Sequence, residues 1–267
     1  MKEKIGILIT NLGTPDKPNK EALKAYLREF LSDPRVIEIP KLIWQAILRL
    51  IILNFRPQKV AKLYKSIWKK EGGPLLVMLQ KQKKGIQKIL KKKLKNLEIE
   101  IGMRYGNPNI KLGLEKLRSQ GCRRILVLPL YPQYCAATTG STFDKVTETL
   151  RKWRWIPEIR FVNNYFEEPM YIECLIKSIK ESWKKSGKSQ KLIFSYHGIP
   201  KKYLLKGDPY YYFCQKTTRL VIERMKLKKK EYITTFQSRF GPGEWLQPYT
   251  DKILEELPKK GIKKIHI

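Results

Sequence analysis

Short apolar runs alternate along the chain with longer stretches in which apolar side chains recur every three or four residues. Ile5-Gly6-Ile7-Leu8-Ile9-Thr10 is too short for a helix and has no polar alternation, so it predicts a strand buried on both faces. Asn11-Leu12-Gly13-Thr14-Pro15 then predicts a turn. Ala22, Leu23, Tyr26, Leu27, Phe30 and Leu31 fall at helical spacing, with Asn19 placed as a cap and Asp33-Pro34 as a stop. The same reading predicts helices over 57–70 and 74–94, split by Gly72-Gly73. Next come a strand over 98–103, a helix over 110–119, a strand over 124–130, a helix over 142–152, a strand over 158–162 and a helix over 169–184. The pattern then restarts, with strands over 191–196 and 232–236, helices over 210–226 and 245–257, and a last strand over 263–267.

Strands that alternate with helices imply parallel sheets covered by helices. The fold class is therefore α/β, with two Rossmann-like lobes whose parallel sheets are flanked by helices. The break falls near residues 165–170, giving an N-terminal lobe over 1–167 and a C-terminal lobe over 168–267. A parallel strand is normally followed by a loop and a helix, so the second lobe is expected to be incomplete at its end. A truncated record and a truly short protein fit that expectation equally.

Composition changes this picture little. The formal net charge of +32 comes mostly from Lys, scattered in ones, twos and threes. Runs such as Lys91-Lys92-Lys93 and Lys228-Lys229-Lys230 suit solvated helix ends, and no basic tail stands apart, so a specific nucleic-acid partner is not expected. Cys122, Cys135, Cys174 and Cys214 form no C-x-x-C pair, which suggests free thiols in a reducing compartment. The opening Met1-Lys2-Glu3-Lys4-Ile5 lacks a signal-peptide pattern. The apolar run from Leu42 to Phe55 is interrupted by Gln45 and Arg49 and falls short of the roughly 20 residues that span a bilayer. It suits a buried or an interfacial helix. The expected location is cytoplasmic, with peripheral contact at the inner membrane face left open.

Candidate chemistry gathers where strands end. His197 closes the strand Lys191-Leu192-Ile193-Phe194-Ser195-Tyr196 and precedes Gly198-Ile199-Pro200. Ligands of parallel sheets bind beyond the carboxyl ends of strands, so His197 reads as a base, a metal ligand or a hydrogen-bonded structural residue. His266 lies within the last strand and reads as incidental. The segment Leu130–Thr142 is rich in Tyr and small hydroxyl residues, which suits either a flat aromatic ligand or a well-packed turn. Gly102-Met103-Arg104-Tyr105-Gly106 and Phe236-Gln237-Ser238-Arg239-Phe240-Gly241 end two further strands. No Gly-x-Gly-x-x-Gly, Walker-type or Gly-x-Ser-x-Gly motif is present, which disfavours dinucleotide, P-loop and α/β-hydrolase chemistry.

Six segments in register resemble the ferrochelatase family of haem synthesis, in its proteobacterial form. They are Asn11–Pro15, Phe30–Asp33, Leu130–Thr142, Phe194–Pro200, Gly207–Tyr210, and Phe236–Gly241 with Trp245–Thr250. The resemblance implies a chelatase-like fold and insertion of ferrous iron, a substrate, into protoporphyrin IX to give protohaem. It gives His197 the role of proton acceptor and transient metal ligand. It places Leu12 under the macrocycle, Arg56 and Tyr64 at propionates, and Arg104, Tyr105, Tyr131 and Trp245 along the cleft. It puts the run from Leu42 to Phe55 at an apolar lip suited to uptake from a membrane.

Three departures matter. Glu71-Gly72-Gly73-Pro74 replaces a Gly-Gly-Ser-Pro pattern, which puts a propionate-binding hydroxyl in doubt. Cys135 stands one residue off a cluster-binding position, so no iron–sulfur cluster is expected. The family's C-terminal loop and helix carry a catalytic glutamate that no residue here matches, Glu244 being the nearest substitute and a poor one. Two competing readings follow, an inactive truncated relic of a chelatase and a basic nucleic-acid-binding protein. The second rests on net charge alone, without a helix-turn-helix, zinc-finger or RNP motif.

Overall fold

Strand β1 (Lys4–Thr14) is the centre from which the first half of the chain is built. It pairs in parallel with β2 (Leu97–Gly106) and β3 (Cys122–Pro129), and β3 pairs with β4 (Glu158–Phe161), giving the order β2-β1-β3-β4. Between the strands run α1 (Lys20–Leu31), α2 (Lys41–Ile47), α3 (Leu53–Ile67), α4 (Pro74–Leu90), α5 (Ile110–Ser119) and α6 (Ser141–Leu150). This computed structural model describes residues 3–241 and 243–267. The opening Met1-Lys2 and Pro242, which follows the Phe236–Gly241 segment, lie outside the described residues.

The lack of alternation in β1 has a direct cause. Leu8 packs on one face against Ile110, Leu114 and Leu117 of α5 and Val146 of α6. Ile7 and Ile9 pack on the other face against Leu79 of α4 and Ile99 and Ile101 of β2. Both faces are dry, so both need apolar residues. Helix starts follow side-chain chemistry. Asn19 Oδ1 accepts the Ala22 N–H at 2.9 Å, and Asn109 Oδ1 accepts that of Leu112 at 2.9 Å.

Three local expectations need correction. The segment 11–14 is not a turn, because β1 continues through it and pairs Gly13 with Tyr105 and Thr14 with Gly106. Gly13 has φ +123°, and a Cβ there would lie 1.8 Å from the Tyr105 carbonyl oxygen, so only glycine lets the strands stay this close. The second helical stretch does not start at Pro57. It runs from α2 through a π turn (Leu48–Ile52) into α3, with Pro57 inside the helix. Asn54 Nδ2 donates to the Leu50 carbonyl of this wide turn at 2.8 Å. The helix expected over 245–257 is reduced to Thr250–Glu256, because Pro248 disfavours a helical residue before it. The Pro248 carbonyl instead accepts the Phe236 N–H at 2.9 Å.

The chain divides into two compact units. The first comprises Met1–Tyr131 with Ala136–Asn163, and the second Pro132–Cys135 with Asn164–Ile267. The second contains α7 (Pro169–Ser186), β5 (Lys191–His197), α8 (Lys201–Leu205), α9 (Tyr210–Met225), β6 (Tyr232–Gln237), α10 (Thr250–Glu256) and β7 (Ile265–His266). Its strands are parallel in the order β6-β5-β7. Ile172 and Ile176 of α7 and Val221 of α9 form a core cluster, with Phe194 of β5 packed against it. The short α8 has no counterpart in the sequence reading, since five residues are too few to show a period.

Candidate active site

In the first unit, a buried carboxylate organises the carboxyl end of β2. Asp33 follows α1, and only 3% of its side chain is exposed. Its Oδ1 accepts the Arg35 N–H at 2.8 Å. Its Oδ2 accepts Tyr105 Oη–H at 2.8 Å, Ser141 Oγ–H at 2.5 Å and a close bond from the Arg104 guanidinium. Arg104 Nε also donates to Ser141 Oγ and to its carbonyl, at 2.6 and 3.0 Å. Burial pushes the Asp33 carboxyl up. The hydrogen bonds from Ser141, Tyr105 and the Arg35 N–H, with the Arg104 charge, outweigh it, so the carboxyl lies below its ordinary range.

Aromatic rings surround this network. Phe30 meets Tyr105 edge-on at 5.0 Å between centroids, and Tyr26 stacks on Phe30 at 6.1 Å. Leu12, near the end of β1, is half-buried against the same cluster. The hydroxyl of Tyr131 is sealed from solvent, and burial holds it far above the usual phenol range. Thr142 lies beside it as a hydrogen-bonding neighbour, while Thr10 and Thr139 also bury hydroxyls and find no hydrogen-bond partner among the described residues. Each such group is costly unless a water or a polar ligand atom meets it. Arg56 is exposed on α3, and Tyr64 lies half-buried roughly two helical turns further along.

In the second unit, His197 is the last residue of β5, paired with Gln237 of β6 and exposed to solvent. Its Nδ1 lies 2.7 Å from the carbonyl oxygen of Gly198. A carbonyl only accepts, so Nδ1 carries the proton, and the neutral ring has its lone pair on Nε2. The next turn is held rigidly. Gly198 N–H donates to the Gln237 carbonyl at 2.7 Å, and Leu246 N–H to that of Ile199 at 3.0 Å. A Cβ at Gly198 would lie 3.0 Å from Gln237 O and 3.3 Å from the Trp245 ring. Trp245 is fixed from its other side by its indole N–H, which donates to Phe240 O at 2.9 Å.

The structure thus gathers Leu12, Arg104, Tyr105 and Tyr131 at one end of the first sheet, with Arg56 and Tyr64 on α3. His197 and Trp245 share the carboxyl end of the second sheet. Tyr105 is fully buried, and its hydroxyl is bonded to Asp33. Glu244 is ion-paired with Lys201 at 3.0 and 3.1 Å. Sequence reasoning missed the role of Asp33, which it took as a helix stop, although the residue stood within one of the six matching segments.

Comparison with known proteins decides the family. The ferrochelatase family model matches residues 4–267. The chain belongs to the ferrochelatase family. A ferrochelatase of Marinobacter nauticus is 52% identical over 266 residues, covering 99% of this chain and 72% of the relative. Ferrochelatase 2 of Shewanella oneidensis is 48% identical over 264 residues, covering 99% and 81%. Among solved structures, SirB from Bacillus subtilis with Fe3+ superposes with a TM-score of 0.53 at 15% identity, covering 98% of this chain and 75% of that one. That likeness supports the α/β fold with parallel sheets.

The Asp33 cluster yields a test. A carboxyl depressed in the native state stabilises it above the unfolded-state pKa, and this is lost as pH falls through the native value. Asp33→Asn removes the charge and leaves Arg104 buried without its partner. It is expected to destabilise the first unit by about 3 kcal/mol at neutral pH, read by urea unfolding. The gap to the parent should close as pH drops below about 4, the unfolded-state carboxyl range. A gap that is constant with pH would contradict the assignment.

Proposed function

We propose that this chain inserts ferrous iron into protoporphyrin IX, forming protohaem and releasing two protons, the iron being substrate. One observation carries the reading beyond family membership: the hydrogen bond from His197 Nδ1–H to the Gly198 carbonyl, which leaves Nε2 as an open base. Nε2 accepts one pyrrole proton, and the second leaves to Nε2 in turn once the first has gone to water. The imidazolium so formed keeps its Nδ1–H bond to the carbonyl and passes the proton to water. The same lone pair can hold the incoming iron briefly, before the ring nitrogens take it.

In this proposal Leu12 and the aromatic cluster of the first unit supply an apolar floor for the macrocycle. Arg56 and Tyr64 take propionates. Arg104 contributes shape rather than charge, because its guanidinium is matched by Asp33. Tyr131 and Trp245 complete the lining. No iron–sulfur cluster forms part of the proposal. Among the described residues no group of three or more His, Cys, Asp or Glu gathers to hold a metal. None of the four cysteines forms a disulfide, and burial pushes Cys214 up to about 12. No described helix is long and apolar enough to cross a membrane. Leu42, Leu50 and Phe55 are nevertheless 88%, 70% and 72% exposed along α2, the π turn and α3, and this supports peripheral membrane contact. The charge of +32 is given no nucleic-acid partner.

His197→Ala is expected to lower iron insertion at least about 100-fold with the fold intact by circular dichroism. Turnover near the parent's would remove His197 from the mechanism. Arg56→Leu should weaken protoporphyrin binding roughly 10-fold, since hydrogen bonds to charged groups contribute about 1.5–3 kcal/mol. Binding of the dimethyl ester should change little. If acid and ester bind the variant in the parent's ratio, Arg56 holds no propionate.

A further inference from the structure

A cavity of about 410 Å³ in the first unit is lined by Lys24, Arg28, Arg49 and Leu53. Three of its four walls are cationic and none is acidic. Lys24 and Arg28 stand four residues apart on α1, which puts like charges side by side on one helix face, an unfavourable arrangement in itself. Arg49 adds a third from the π turn. None of the three has an acidic partner at ion-pair distance among the described residues. Glu21 shares the helix face of Lys24 and Arg28 without reaching either at ion-pair distance, and Glu29 accepts the Gly106 N–H at 2.9 Å. Leu53, 1% exposed, closes the floor with an apolar side chain. Three unneutralised cations around a dry floor favour an anion, and fork-shaped guanidiniums suit the oxygens of a phosphate.

The surroundings say which phosphate. Leu50 and Ile51 directly follow Arg49 and are 70% and 56% exposed, with Phe55 beyond them at 72%. No Asp or Glu occurs between Glu38 and Glu71, whereas eight Lys or Arg do. A soluble phosphate would need the cations alone. A phosphate joined to acyl chains would need both the cations and the apolar rim, and both are present. We propose that Lys24, Arg28 and Arg49 form a seat for the phosphate of an anionic phospholipid headgroup. Leu50, Ile51 and Phe55 enter the acyl boundary beside it. The inference rests on the peripheral membrane contact proposed above and adds a headgroup site to it.

The test is binding to phosphatidylcholine vesicles with and without phosphatidylglycerol. It compares the parent with the triple variant Lys24→Gln, Arg28→Gln, Arg49→Gln. A control triple, Lys91→Gln, Lys92→Gln, Lys93→Gln, removes the same charge from the exposed end of α4. The pocket variant is expected to lose about 100-fold in affinity for the anionic vesicles, and the control less than about fivefold. Equal losses in the two would reduce the effect to net charge and overturn the proposal. Millimolar glycerol phosphate is the second arm. If it raises the parent's melting temperature but not the pocket variant's, and vesicle binding does not distinguish the two, the site takes a soluble phosphate and the lipid assignment fails. Should the triple variant unfold early, Arg49→Gln alone is expected to lose about fivefold, and no loss there would equally overturn the seat. Iron insertion into porphyrin in detergent is measured on every protein. It should be unchanged by all these substitutions, so loss of the proposed activity in the parent would be separable from loss of the lipid site.

Discussion

Parallel strands in one sheet run out on the same side, and near those ends backbone groups must be satisfied by hydrogen bonds between a strand and a loop. Both units answer this in the same way. The Leu130 N–H reaches Thr10 O at 2.9 Å and the Met103 N–H reaches Pro108 O at 2.7 Å. In the second unit the Gly198 N–H reaches Gln237 O, and the Phe236 N–H reaches Pro248 O. Loops tied down in this way are held in place, and the side chains to which we assign chemistry sit within them or at the strand ends they follow. His197 owes its orientation to this arrangement. The turn that satisfies β5 brings the Gly198 carbonyl to Nδ1 and thereby fixes the tautomer.

Asp33 solves a related problem in the first unit. A guanidinium at the end of β2 is expensive to bury without a counter-charge. The chain supplies one from beyond α1 and adds Ser141 and Tyr105, so that every bond to the carboxylate is charge-assisted. The site therefore contains a fixed arginine with little net charge beside an apolar cluster, a setting compatible with an apolar macrocycle. Cations without an acidic partner at ion-pair distance among the described residues gather instead in the pocket of Lys24, Arg28 and Arg49.

Much of this was legible in the sequence. The central strand, the capped helix after it and the restart at Lys191 all show in the spacing of apolar residues, because burial on both faces and helical periodicity leave different marks. His197 stood out because a histidine at the carboxyl end of a parallel strand, before Gly-x-Pro, lies where ligands of such sheets bind, although spacing alone left a structural role equally open. What was not legible depends on distant partners. Continuation of β1 through Gly13 requires the Tyr105 backbone, more than ninety residues later in the chain. The π turn before Pro57 leaves no periodic signal. The role of Asp33 appears only when Arg104, Tyr105 and Ser141 are brought to it by three separate elements. The three-cation pocket joins α1 to the π turn, and no local pattern links them.

The central claim is that His197 presents Nε2 as an unprotonated base because Nδ1 donates to Gly198. Nitrogen-15 NMR of histidine-labelled protein tests it directly. The chain has only two histidines, so a His266→Gln variant assigns both rings. With the ring neutral, in alkaline solution, the account predicts a pyrrole-type shift at Nδ1 and a pyridine-type shift at Nε2 of His197. The opposite pattern, with the proton on Nε2, would contradict it.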